Sequence, residues 1–102
     1  MGETRDAYVN KLKAKLDEWN ADIDRLEARA RYRQADMEQA CQRQIDDLKV
    51  RRRKARETLE ALRNASGEAW DELRIGLDTA ADALGRAIRS ARAKFDRDEP
   101  VS

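Results

Sequence analysis

Residues 62–70 read Leu-Arg-Asn-Ala-Ser-Gly-Glu-Ala-Trp, and the reading of this stretch decides the fold. Asn64, Ser66 and Gly67 are poor residues for a helix interior and good ones for caps and turns. Just beyond them Glu68, Asp71 and Glu72 crowd a first turn, while Arg86, Arg89, Arg92, Lys94 and Arg97 crowd the distal end. That polarity suits the dipole of a separate helix beginning near Ser66. An apolar stripe follows at helical spacing: Trp70, Leu73, Leu77, Ala80/Ala81, Leu84, Ile88, Ala91 and Phe95. The stripe also crosses Gly67 in phase, so a helix continuous through Gly67 is the competing reading.

Upstream the stripe reaches back to the start of the chain. Val9, Leu12, Leu16, Trp19, Ile23, Leu26 and Ala30 alternate steps of 3 and 4 residues, the a/d seam of a heptad repeat. From Leu26 through Ala30, Gln34, Met37, Cys41, Ile45 and Leu48 the steps become 4-4-3, an eleven-residue period that relaxes the left-handed supercoil. Heptad spacing resumes through Arg52, Ala55, Leu59 and Leu62. The expected organisation is one coiled-coil domain over residues 1–102. Helix 1 covers about 4–64, a turn lies at 64–67, helix 2 covers about 67–95, and residues 96–102, with Pro100, form a frayed tail.

Folding back at residues 64–67 pairs apolar with apolar at nearly every level. Leu62 faces Trp70, Leu59 faces Leu73, Ala55 faces Leu77, Leu48 faces Leu84, Ile45 faces Ile88, Cys41 faces Ala91, and Met37 faces Phe95. The basic run Lys49, Arg51, Arg52, Arg53, Lys54, Arg56 then lies beside Asp78 and Asp82. Asp36, Glu38, Asp46 and Asp47 lie beside Arg86, Arg89, Arg92 and Lys94. Asp47–Arg51, Arg53–Glu57 and Arg56–Glu60 are further pairs one helical turn apart. The fold class is therefore all-α: a long helix with a shorter antiparallel helix, assembled as a coiled-coil dimer or higher oligomer.

The dimer follows from an overhang. Helix 1 would be roughly 90 Å long at 1.5 Å per residue, and helix 2 reaches back only to about Met37. Val9, Leu12, Leu16, Trp19, Ile23 and Leu26 would be left uncovered, forfeiting about 1.5–3 kcal/mol for each large side chain. A second copy of the chain is the expected partner, with antiparallel crossing favoured and a parallel coiled coil over residues 8–33 as the competitor.

Composition agrees and closes off other classes. Charged residues make up 42% of the 102 and aromatic residues 5%, a balance typical of long helices. The net charge of +1 argues against the whole molecule being a partner for nucleic acid or anionic membrane. A single cysteine and the lack of an apolar leader or a long apolar run point to a cytoplasmic protein. With no histidine, Ser–His, Cys–His and ordinary zinc arrangements cannot be written. No P-loop or G-x-G-x-x-G occurs; Gly67, Gly76 and Gly85 are spaced nine apart along a helix. No enzyme activity, cofactor, metal or small-molecule substrate is expected. Cys41 reads as a packing cysteine, with a redox role left open; Trp19 and Trp70 read as core anchors, and Gly76 and Gly85 as close-packing positions.

Two segments, YVNKLKAKLDEWNADIDRLEARA (8–30) and LRNASGEAWDELRIGLDTAADAL (62–84), carry a family likeness. The chain resembles small bacterial coiled-coil proteins, many uncharacterised and some named as stress-response proteins; LDEWN and SGEAWDEL are the most specific parts. The resemblance implies a non-enzymatic helical protein, plausibly stress-associated, and supplies no site residues. The functional expectation is a structural or interaction protein that self-assembles through the Val9–Leu26 seam. Two alternatives are weighed. One is an amphipathic protein binding a membrane, lipid or granule surface through helix 2. The other is a nucleic-acid contact through Lys49, Arg51, Arg53, Lys54 and Arg56, which lack interleaved aromatics and have acidic neighbours on both sides.

Overall fold

The computed structural model describes residues 2–32 and 35–98. They form three α-helices: α1 (Gly2–Ala30), α2 (Ala35–Arg63) and α3 (Gly67–Asp98). The fold is all-α, as expected, and no strand occurs among the described residues. The helices lie side by side in a rod of 55 × 19 × 16 Å. That is close to the length of a single 29-residue helix, about 44 Å, plus its connections.

The long helix expected over about 4–64 is corrected: α1 and α2 are separate, joined across residues 31–34. The α1 end is marked by a turn hydrogen bond from Tyr32 N–H to the Arg29 carbonyl, 3.1 Å, and Tyr32 is 90% exposed. Energetics explain the reversal. The seam from Val9 to Leu26 gains about 1.5–3 kcal/mol per large side chain whichever surface covers it. Recruiting a second chain costs about 4–15 kcal/mol of translational and rotational freedom. Turning back on the chain's own hairpin costs only a few helical hydrogen bonds, each worth about 0.5–1.5 kcal/mol net. The nearer surface wins.

The second reversal, at residues 64–66, carries the turn chemistry of its residues. Asn64 and Ala65 N–H groups bond back to the carbonyls of Ala61 and Leu62 at 3.2 and 3.1 Å, closing α2. The Ser66 carbonyl accepts from Trp70 N–H at 2.7 Å, opening α3 with Ser66 in the N-cap position. Gly67 has no positive φ, so it starts the helix and does not serve as a left-handed cap. Residues 96–98, expected in the tail, continue α3, and the rest of the expected tail, 99–102, lies outside the described residues.

Cross-helix contacts fix the directions. Glu27 meets Lys49 and Asn20 meets Arg52, so α1 and α2 are antiparallel. Tyr8 meets Asp78 and Trp19 meets Gly85, so α1 and α3 are parallel. One continuous apolar core runs the length of the rod, from Leu12, Leu62 and Trp70 at one end to Ala30, Cys41 and Phe95 at the other. The α2–α3 interface is the most extensive, α1–α2 nearly matches it, and α1–α3 is the smallest.

Candidate functional site: the helix faces

The residues assigned to self-association are covered within one chain, which corrects their placement. Leu12, Leu16, Ile23 and Leu26 are 0–5% exposed, and Val9 and Trp19 are partly buried against the same core. The face that α1 turns inward is the face expected to await a second copy. The residues assigned to the hairpin share the one core: Leu48, Leu59, Leu62, Trp70, Leu77, Leu84, Ile88 and Phe95 are buried, and Leu73 is partly buried against them. Met37 lies outside the residues whose side chains are described.

The basic run does not form one patch. Successive helical residues turn by about 100°, so Arg51 and Arg53 project about 160° apart, as do Lys54 and Arg56. Lys49, Arg52, Arg53 and Arg56 fall on the side of α2 that flanks α1, while Arg51 and Lys54 fall away from it. Arg52 donates to the Asn20 side-chain oxygen, and Lys49 donates to Glu27 Oε2 at 2.6 Å. Arg51 binds Asp47 at 2.9 Å, the within-helix pair expected from spacing. Glu60 pairs with Arg63, at 3.5 Å, and not with Arg56.

The charge register drawn for the hairpin also changes. Asp78 is held by Arg74, at 3.4 Å, and by the Tyr8 hydroxyl; Asp82 is held by Arg86 at 2.6 Å. Of the basic run, Lys49 and Arg52 contact α1, a neighbour that a two-helix reading lacks. Lys49 holds the Glu27 carboxyl below its ordinary value, chiefly through their hydrogen bond, against an opposing effect of burial.

Two aromatic contacts attach α1 to α3. At the end near residues 64–66, the Tyr8 ring meets Trp70 edge-on, centroids 5.9 Å apart and planes at 72°. Arg5 stacks over Trp70 at 4.7 Å from its centroid and donates to the Ala65 carbonyl at 3.4 Å. Burial, then the Asp78 hydrogen bond, pushes the Tyr8 phenol above its usual value. In mid-rod, a Cβ on Gly85 would lie 3.2 Å from Trp19 Cζ2. Gly85 is a close-packing position as expected. Gly76 is exposed with nothing within 4 Å of its Cβ direction, so the close-packing role given to it is corrected.

Arg5, Tyr8, Asn20 and Glu27 were missed as structural contacts, because each lies on the flank of the stripe and its partner is on another helix. The i, i+7 spacing of Asn20 and Glu27 marks one flank of α1, and it is the available sequence signal for a neighbouring helix. The grooves between helices are shallow; one of about 410 Å³ is lined by Arg5, Asp6, Val9, Asn10, Leu62, Arg63 and Trp70. Among the described residues no group of His, Cys, Asp or Glu is placed to hold a metal ion. Nor is any described helix long and apolar enough to cross a membrane. Cys41 is buried at 4% exposure. Comparison with protein-family models, with curated proteins and with solved structures finds no match to this chain.

Proposed function

We propose that this chain is a non-enzymatic helical interaction protein that associates with copies of itself. The observation that carries the reading is how the residues are distributed. Among the described residues, the core takes most of the large apolar side chains, and those that are buried are all apolar. Three rigid helical faces, each about 44–48 Å long, present closely mixed charges of both signs. With a net charge of +1, two copies do not repel one another. Mixed-sign helical surfaces select partners and registers more than they bind single anions. The likeness to bacterial stress-response coiled-coil proteins supports a stress-associated setting for that role.

The two alternatives find less support. Of the α3 residues offered for a lipid surface, Trp70, Leu77, Leu84, Ile88 and Phe95 are buried in the core and Leu73 is partly buried against it, so that reading needs the bundle to open. The basic residues offered for nucleic acid point to different sides of α2. Light scattering on size-separated protein, from micromolar to millimolar concentration, tests the proposal. A reversible dimer is expected; a strict monomer across the range overturns it.

A further inference from the structure

The geometry points to the outer face of α2 as the contact between copies: residues 50–61 of two chains pair antiparallel, the basic half of each against the acidic half of the other. This names the surface for the self-association reading and rests on it. Successive helical residues turn by about 100°, so Val50, Lys54, Glu57 and Ala61 project within about 60° of one another. That stripe points away from the core, since Leu48, Ala55, Leu59 and Leu62 are buried on the opposite side of the helix. All four outer residues are exposed, and Val50, at 43%, is one of three large apolar side chains left so among the described residues. Arg53 and Glu60, also exposed, run along the margin of the stripe nearer α1.

The order of the charges supplies the occupant. Arg53 and Lys54 come first along the helix, Glu57 and Glu60 after them. Among the described residues Arg53, Lys54 and Glu57 enter no ion pair, and the Arg53–Glu57 pair expected from spacing is not made. A basic segment followed by an acidic one is complementary to its own reverse. With two α2 helices antiparallel about a two-fold axis passing between Ala55 and Arg56, Lys54 faces Glu57 of the second copy and Val50 faces its Ala61. Arg53 lies beside its Glu60, and symmetry makes each contact twice.

Other alignments bring like charges together. A parallel pair sets Lys54 against Lys54 and Glu57 against Glu57. Sliding the antiparallel pair by one heptad toward the start of α2 sets Asp47 against Glu57, and by two heptads Arg43 against Lys54. Like charges placed so cost about what opposite ones gain, and charges along a helical seam set orientation and register. The three-helix bundle of each copy is untouched by the pairing. Lys49 and Arg52 keep Glu27 and Asn20, because they project to the α1 side of α2. The overlap runs over residues 48–63, since α2 ends at Arg63. That is about 24 Å of helix, which suits a weak, reversible dimer.

The test reverses charges on the full chain. Light scattering from micromolar to millimolar concentration, at low salt, follows wild type, Lys54→Glu, Glu57→Lys and an equimolar mixture of the two variants. Both positions are exposed, and circular dichroism checks that each variant keeps its helices. Either variant alone sets like charges opposite one another at both contacts, and its dissociation constant is expected to rise about tenfold or more. The mixture is expected to dimerise as wild type does, because a Lys54→Glu chain and a Glu57→Lys chain meet with opposite charges at both contacts. Variants that each dimerise as well as wild type would leave self-association standing and overturn the α2 face. So would variants that lose the dimer singly and do not recover it when mixed. A wild-type chain that stays monomeric throughout would overturn the self-association reading as well.

Discussion

Trp19 lies across α3 where a side chain on Gly85 would otherwise be, with Cζ2 only 3.2 Å from the Cβ position. Gly76, nine residues earlier on the same helix, has nothing within 4 Å of that position. Both glycines lower helix propensity by about 1 kcal/mol relative to alanine. Gly76→Ala should therefore stabilise the protein by about 0.5–1 kcal/mol. Gly85→Ala should gain nothing net, since it must displace the indole, and Gly85→Val should destabilise outright. Urea unfolding followed by circular dichroism checks this; equal stabilisation by the two alanines would show that Trp19 does not pack on α3.

Ile23 is fully buried between α1 and the hairpin. Ile23→Ala should cost about 2–4 kcal/mol through lost burial and the cavity left behind, a large part of the roughly 5–15 kcal/mol that holds a domain of this size. Because the contact lies within one chain, the loss on Ile23→Ala should not depend on protein concentration. A loss that changes with concentration would place Ile23 between chains.

Glu27 and Lys49 join α1 to α2 with side chains only 25% and 32% exposed. Glu27→Gln should cost ~0.2–1 kcal/mol at neutral pH, the usual range for such pairs. The Glu27 pKa is lowered on folding, so its contribution is present above the ordinary carboxylate value of 4.5 and is lost as pH falls through the folded value. The stability difference between wild type and Glu27→Gln should thus narrow as pH is lowered from neutral to below 4.5. A gap that persists in acid would show that the charge is not what matters.

Tyr8 contributes both a ring and a hydroxyl to the α1–α3 junction. Tyr8→Phe should keep the edge-on contact with Trp70 and lose the bond to Asp78, costing about 0.5–1.5 kcal/mol. Tyr8→Ala should cost more, since the ring goes as well. The phenol pKa is raised on folding, so its contribution is complete below the unfolded value near ~10 and fades as pH rises through the folded value. Denaturation at pH 8 and pH 11 tests the sign: a Tyr8→Phe deficit that grows with pH would contradict it.

The core could be read from spacing because burial imposes the helical period directly on the sequence. Leu62, Trp70, Leu77 and Leu84 declared themselves in that way, and Asn64, Ser66 and Gly67 gave the α2–α3 reversal its chemistry. The α1–α2 reversal was not legible, because Arg31-Tyr32-Arg33-Gln34 has no breaker and the stripe passes it in helical phase. What forces that turn is a competition between covering surfaces at a distance, and no local residue records it. The flank contacts, Tyr8 with Asp78 and Lys49 with Glu27, depend on which helices are neighbours, so they became readable only after the third helix was placed.

The ordering of the three interfaces sets how the chain finds this structure. α1–α2 and α2–α3 each join helices separated by a few residues, and only the smallest interface, α1–α3, must close over a long loop. Topologies dominated by such near-neighbour contacts fold in microseconds to milliseconds. The central helix is the template against which both outer helices form. Refolding from urea should then be finished within the dead time of hand mixing, with little time for half-made intermediates to meet one another at cellular concentrations.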